Sequence, residues 1–93
     1  MIVRLLVFHL AFPEAQSLKD KRMVLRSVKD RLRTRFNVSV AETGGQDLWG
    51  RGELSVVYLS PDVAQADAVE SRIDRLLDES GRLVISHTRR EDL

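Results

Sequence analysis

Cysteine is absent, so disulfides, thiolate metal sites and thiol redox chemistry are excluded together. No apolar run approaches the roughly 18 residues of a membrane-spanning helix. The apolar stretch Met1–Phe12 has neither a basic lead nor a small-residue cleavage site, so it is expected to be a strand and not a signal peptide. Imidazoles are scarce: His9 and His87 are the only two, with no carboxylate or second histidine at ligand spacing in the sequence. Nothing resembles a nucleophile beside its base, and repeats, linkers and low-complexity tracts are missing. What remains is 93 residues, 43% apolar and 31% charged. That is the composition of one small globular domain, residues 1–93, for which a cytoplasmic location is expected.

Hydrophobic spacing divides the chain. Ile2–Phe12 is rich in Val, Leu, Ile and Phe and reads as a strand ended by Pro13. Ser17-Leu18-Lys19-Asp20 has the Ser-x-x-acid form of a capping box and opens a helix through Phe36. Its apolar face is Leu18, Leu25, Val28, Leu32 and Phe36, with Val24 at the margin. Asn37–Thr43 alternates and predicts a second strand, Gly44–Gly52 holds four glycines and predicts a loop, and Glu53–Leu59 alternates again. Ser60-Pro61 is expected to cap a second helix carrying Ala66, Val69, Ile73 and Leu76 and ending at Gly81. Leu83–Ser86 predicts a fourth strand, with Arg89–Leu93 as a polar tail.

The order β-α-β-β-α-β folds most economically as an α+β, ferredoxin-like sandwich, a four-stranded antiparallel sheet with two helices on one face. Both parities of the first strand, Val3/Leu5/Val7 and Leu6/Phe8/Leu10, are apolar, and Val57 and Leu59 add to the face the helices leave uncovered. Two helices cover only one sheet face, so a second copy of the chain is expected to cover the other.

Charge is distributed unevenly. Leu18–Phe36 holds eight Lys/Arg against two Asp, a net of +6, in a chain whose total is +1. Lys19, Arg22, Arg26, Lys29 and Arg33 recur at spacings of three and four, which stacks them within an arc of roughly 80° on one helix. Charge runs are usually solvated faces, but such faces interleave signs for i,i+4 pairing, and this one does not. Lys19, Lys21 and Arg22 also crowd the first turns, where the helix dipole disfavours each cation by about 0.3–1 kcal/mol. A local rule broken in this way points to a site, and the chemistry that matches it is a polyanion, with RNA the leading partner. Five duplex phosphate contacts would give a log–log salt slope of about −4.5. Lys21 falls over the apolar face, where its stem is expected to pack and its head to reach solvent.

Two familiar nucleotide sites fail on their residues. Arg51-Gly52-Glu53-Leu54-Ser55-Val56-Val57-Tyr58 matches the RNA-recognition-motif consensus at four places, but Glu53 and Ser55 stand where stacking aromatics are required. Gly45 and Gly50 are spaced as in a phosphate loop, yet Arg51-Gly52 and a strand follow in place of Lys-Ser/Thr and a helix. The loop instead offers Trp49 flanked by Asp47 and Arg51, a partner-binding hot spot if exposed and a core-edge cap if not. Glu42, Asp47 and Glu53 surround the same loop and are the only candidates for a carboxylate site, which are more often simply solvated.

Ser17-Leu18-Lys19-Asp20-Lys21-Arg22, Phe36-Asn37-Val38-Ser39-Val40-Ala41-Glu42 and Asp47-Leu48-Trp49, together with the length, resemble the YlxP-like proteins, a small bacterial family of unknown function. The resemblance implies a ferredoxin-like fold and a dimer. Members often lie genetically near translation and ribosome-maturation factors, which implies an RNA-associated role. No catalytic residue, metal or cofactor comes with it. Gly44-Gly45 and Gly50 stand where the family usually has bulkier residues. The expectation is a non-enzymatic homodimer that binds RNA or a ribonucleoprotein through the basic helix, without a membrane or cofactor. The competing expectation is a protein-interaction module that meets an acidic partner with the same helix and Trp49.

Overall fold

A computed structural model describes residues 1–93 and places β1 at Ile2–Ala11, α1 at Leu18–Arg35, β2 at Ser39–Gly44, β3 at Arg51–Ser60, α2 at Val63–Glu79 and β4 at Val84–Asp92. The strands form one sheet in the order β2-β3-β1-β4, with every neighbouring pair antiparallel. This is the ferredoxin-like α+β arrangement.

Parity on β1 explains which face is covered. Leu6, Phe8, Leu10 and Phe12 point one way and join Val40, Leu54, Val56 and Tyr58 in a single core. The helices close it with Leu25, Val28 and Leu32 from α1 and Ala66, Ile73, Leu76 and Leu77 from α2. Ser17 caps α1 by accepting from the Asp20 amide at 3.1 Å, and Asp20 reaches back to the Gln16 amide at 3.0 Å. The opposite sheet face carries Val3, Leu5 and Val57 half-buried and Leu59 65% exposed.

Strands β2 and β3 shift by one or two residues from the sequence expectation, β3 starting at Arg51 inside the expected loop, and two assignments are overturned. Ser60 does not cap α2; it is the last residue of β3, paired with Ile2 and buried, and Asp62 caps the helix by accepting from the Gln65 amide at 2.9 Å. The segment Arg89–Leu93 is not a loose tail, because β4 runs to Asp92 along β1. Its alternation is ionic instead of apolar. Arg90 and Asp92 lie on the helix side, where Arg4, only 1% exposed, donates to Asp92, Asp67 and Glu70 at 2.7, 2.6 and 3.3 Å. Arg90 completes the network with two bonds to Glu70 at 2.7 and 2.8 Å.

Candidate functional site

Helix α1 runs alongside β2, an edge strand with β3 on one side and nothing on the other. Between them lies a groove of about 410 Å3 lined by Arg22, Arg26, Lys29 and Arg33, with Leu25, Asp30 and Glu42. Four of the five residues of the basic stripe therefore share one concavity. Lys19 is exposed on the first helical turn but does not line it. No carboxylate comes within 4.0 Å of the cationic groups of Lys19, Arg22, Arg26 or Lys29. Arg33 sits 4.0 Å from Asp30 and donates to the Val40 carbonyl at 3.1 Å, tying the helix to the edge strand. An edge strand invites pairing with other chains, and a charged wall along it discourages that.

Lys21 departs from expectation. Its head does not reach solvent: the residue is 1% exposed and its Nζ donates to the carbonyls of Gly45 at 2.6 Å and Leu48 at 2.5 Å. The same ammonium lies 3.1 Å from Glu42 and 5.8 Å from the centre of the Phe12 ring. Burying a cation is costly unless it is paired and hydrogen-bonded, and here every donor has an acceptor nearby. The glycines make this possible. A side chain at Gly52 would meet Lys21 Cε at 3.0 Å, and Gly45 turns the chain at φ +72°. Glu42, an acidic residue in the basic groove, is thus largely engaged by Lys21.

The loop between β2 and β3 is consequently fixed. The Leu48 amide donates to the Gly45 carbonyl and the Phe12 amide to the Gly50 carbonyl, each at 2.9 Å. Trp49, between two residues so held, is 47% exposed and stands outside the core, so it does not cap the core edge. Asp47 and Arg51 flank it, both exposed.

The sequence profile of a family described as protein of unknown function (DUF503) matches residues 3–90. The chain belongs to the DUF503 family. It is also similar to the uncharacterized protein YlxP of Bacillus subtilis (strain 168), 33% identical over 78 residues that cover 84% of this chain and 85% of that one. The matched residues take in the whole of α1, β2 and the glycine loop, so groove and loop both lie inside the DUF503 domain.

Elsewhere in this DUF503 chain the carboxylates around the loop do not converge. Glu42 faces the helix side and Lys21, whereas Glu53 lies on the open sheet face and accepts from the Thr43 hydroxyl at 2.6 Å. No group of three or more His, Asp or Glu is placed to hold a metal ion. His9 and His87, separated by most of the sequence, are brought opposite one another across β1 and β4 with ring centres 5.6 Å apart, and His9 lies 3.8 Å from Glu53. Sequence spacing hid that pairing, which only the strand register creates. It also hid the Arg4 network, although Arg4 shares the parity of Leu6 and Phe8 and so had to enter the core side. Hydrogen bonds from Arg4 hold the Asp92 carboxyl below its ordinary range, and burial, reinforced by Glu70 and Asp78, pushes Asp74 up. No helix is long and apolar enough to cross a membrane.

Proposed function

We propose that this protein binds RNA, free or within a ribonucleoprotein, by cradling its phosphate backbone between α1 and β2. The observation that carries the proposal is the convergence of Arg22, Arg26, Lys29 and Arg33 on one groove, of whose two acidic residues Glu42 is paired with Lys21 and Asp30 is exposed, 4.0 Å from Arg33. Arg and Lys lining a concave surface bind phosphate through charge-assisted hydrogen bonds, with little sequence preference because phosphates carry no base information. A binding role and not a catalytic one is supported by the separation of Glu42 and Glu53 onto opposite faces of the sheet.

The test is charge reversal at positions that hold nothing else in place. Arg22→Glu with Arg26→Glu removes two groove cations that make no internal ion pair, so the circular dichroism spectrum and melting temperature should stay near wild type. RNA affinity, read by fluorescence anisotropy at low salt, should fall at least 100-fold, since each lost or reversed phosphate contact removes a substantial part of an electrostatic affinity. Undiminished affinity would rule the groove out.

The open sheet face supports a homodimer as part of the same proposal. Val3, Leu5, Val57 and Leu59 form an apolar patch with polar residues around it, and Leu59 alone is 65% exposed. Isologous pairing would bury this patch while leaving both basic grooves outward, on the far side of each sheet. Sedimentation equilibrium of wild type and Leu59→Lys should show a dimer and a monomer respectively.

A further inference from the structure

We propose that the RNA taken by this groove is single-stranded, with one unpaired base stacked on the indole of Trp49. This rests on the groove reading above and adds the strandedness of the ligand. The groove has a direction. At one end Arg33 reaches the Val40 carbonyl near the start of β2; further along, Arg22 and Glu42 line the groove. Beyond them Lys21 grips Gly45 and Leu48 of the loop. Because α1 and β2 run antiparallel, the loop that follows β2 stands at the Arg22 end, and Trp49 lies on it, after the Gly45–Leu48 turn and just before β3.

From Arg22 to Arg33 the helix rises about 16 Å, room for a short run of phosphates. A backbone following those cations toward the N-terminal end of α1 arrives at the loop held by Lys21, which carries the exposed Trp49. Three features suit that residue to stacking. Trp49 is 47% exposed, so its ring is available. Its neighbours Leu48 and Gly50 are pinned by Lys21 and Phe12, so little ordering is left to be done on binding. Gly50 leaves the adjoining space empty, since a side chain there would meet nothing within 4 Å.

Strandedness follows from what each component can recognise. Aromatic side chains bind bases that are unstacked, and duplex bases are not available to them. The open sheet face cannot supply the platform, because Glu53 and Ser55 occupy the positions where aromatics would be needed and are bonded to Thr43. One helix and one edge strand also make a channel for one backbone.

The chain contains one tryptophan, so intrinsic fluorescence reports on position 49 alone. Wild-type protein is titrated with an oligouridine of about a dozen nucleotides, with a duplex RNA of similar length and with polyglutamate, following both tryptophan emission and displacement of a labelled oligonucleotide. Saturable quenching by the single strand, no quenching by the duplex, and at least a fivefold loss of single-strand affinity in Trp49→Ala, largely recovered in Trp49→Phe, are the expected results. Equal binding of both RNAs with unchanged emission and a neutral Trp49→Ala would overturn the stacking inference while leaving the groove in place. Failure of every RNA to bind, with no effect of Arg22→Glu and Arg26→Glu, would overturn both. Quenching by polyglutamate equal to that by RNA would identify an acidic protein as the occupant and overturn the single-strand proposal.

Discussion

Lys21→Met separates the charge of the buried lysine from its bulk. Methionine keeps most of the stem and fills irregular space readily, so packing changes little. The ammonium is what disappears, and with it two carbonyl hydrogen bonds, the 3.1 Å ion pair to Glu42 and the cation facing Phe12. The Lys21 side chain is 1% exposed and that of Glu42 20%, so the carboxylate is stranded in a place water reaches poorly. Breaking a buried pair from one side costs about 3–5 kcal/mol, and the partial exposure of Glu42 argues for the lower end, about 3 kcal/mol. In a domain of this size that lowers the melting temperature by about 12–24 °C. Urea unfolding followed by circular dichroism gives the global loss. Trp49 emission should shift below the main transition, because the loop is released first. Adding Glu42→Gln should return part of the loss, so that the double variant is less destabilised than the sum by at least about 1.5 kcal/mol. A loss under about 1 kcal/mol with coincident transitions would refute the view that this lysine holds the loop.

Gly45→Ala places a side chain at φ +72° and 3.1 Å from Gly52 Cα; it should cost about 1–2 kcal/mol in urea unfolding. Arg4→Met leaves Asp67, Glu70 and Asp92 without their shared guanidinium and should cost about 3 kcal/mol, with amide exchange along β4 accelerating more than elsewhere. Asp92 has its carboxyl held below its ordinary value by Arg4, so its stabilising effect is complete above the unfolded-state pKa of about 3.9 and vanishes as pH falls through the lower folded value. The melting temperatures of wild type and Asp92→Asn should accordingly differ at pH 7 and converge in acid. Asp74 is shifted the opposite way, first by burial and then by Glu70 and Asp78 one turn to either side, so ionising it opposes folding as pH rises; Asp74→Asn should gain about 0.4–1 kcal/mol at pH 7 from the two like-charge pairs and nothing below about pH 3.

Apolar periodicity is a local signal, and where burial is apolar it located the elements well. Leu25, Val28 and Leu32 named the buried face of α1, and the parities of β1 named the two faces of the sheet. It failed where burial is ionic. β4 beyond Ser86 has no alternating aliphatics because Arg90 and Asp92 face Arg4 and Glu70, so a polar strand looked like a tail. Lys21 fell on the apolar face of the wheel, and its spacing was right, but a lysine head is ordinarily wet. The acceptors that bury it are backbone carbonyls of the glycine loop, which no side-chain pattern announces. The basic stripe was visible because it needs only helical spacing. Its concavity was not, since that depends on β2 being the edge strand beside α1.

Salt dependence interrogates the phosphate-binding groove most directly. Oligouridine affinity measured across a range of monovalent salt should fall with a log–log slope of about −2.8, four contacts at roughly 0.7 per phosphate on a single strand, and Arg22→Glu with Arg26→Glu should flatten it to about −1.4 or less. A slope near zero, or one that the two reversals leave unchanged, would mean that these cations do not hold a phosphate backbone.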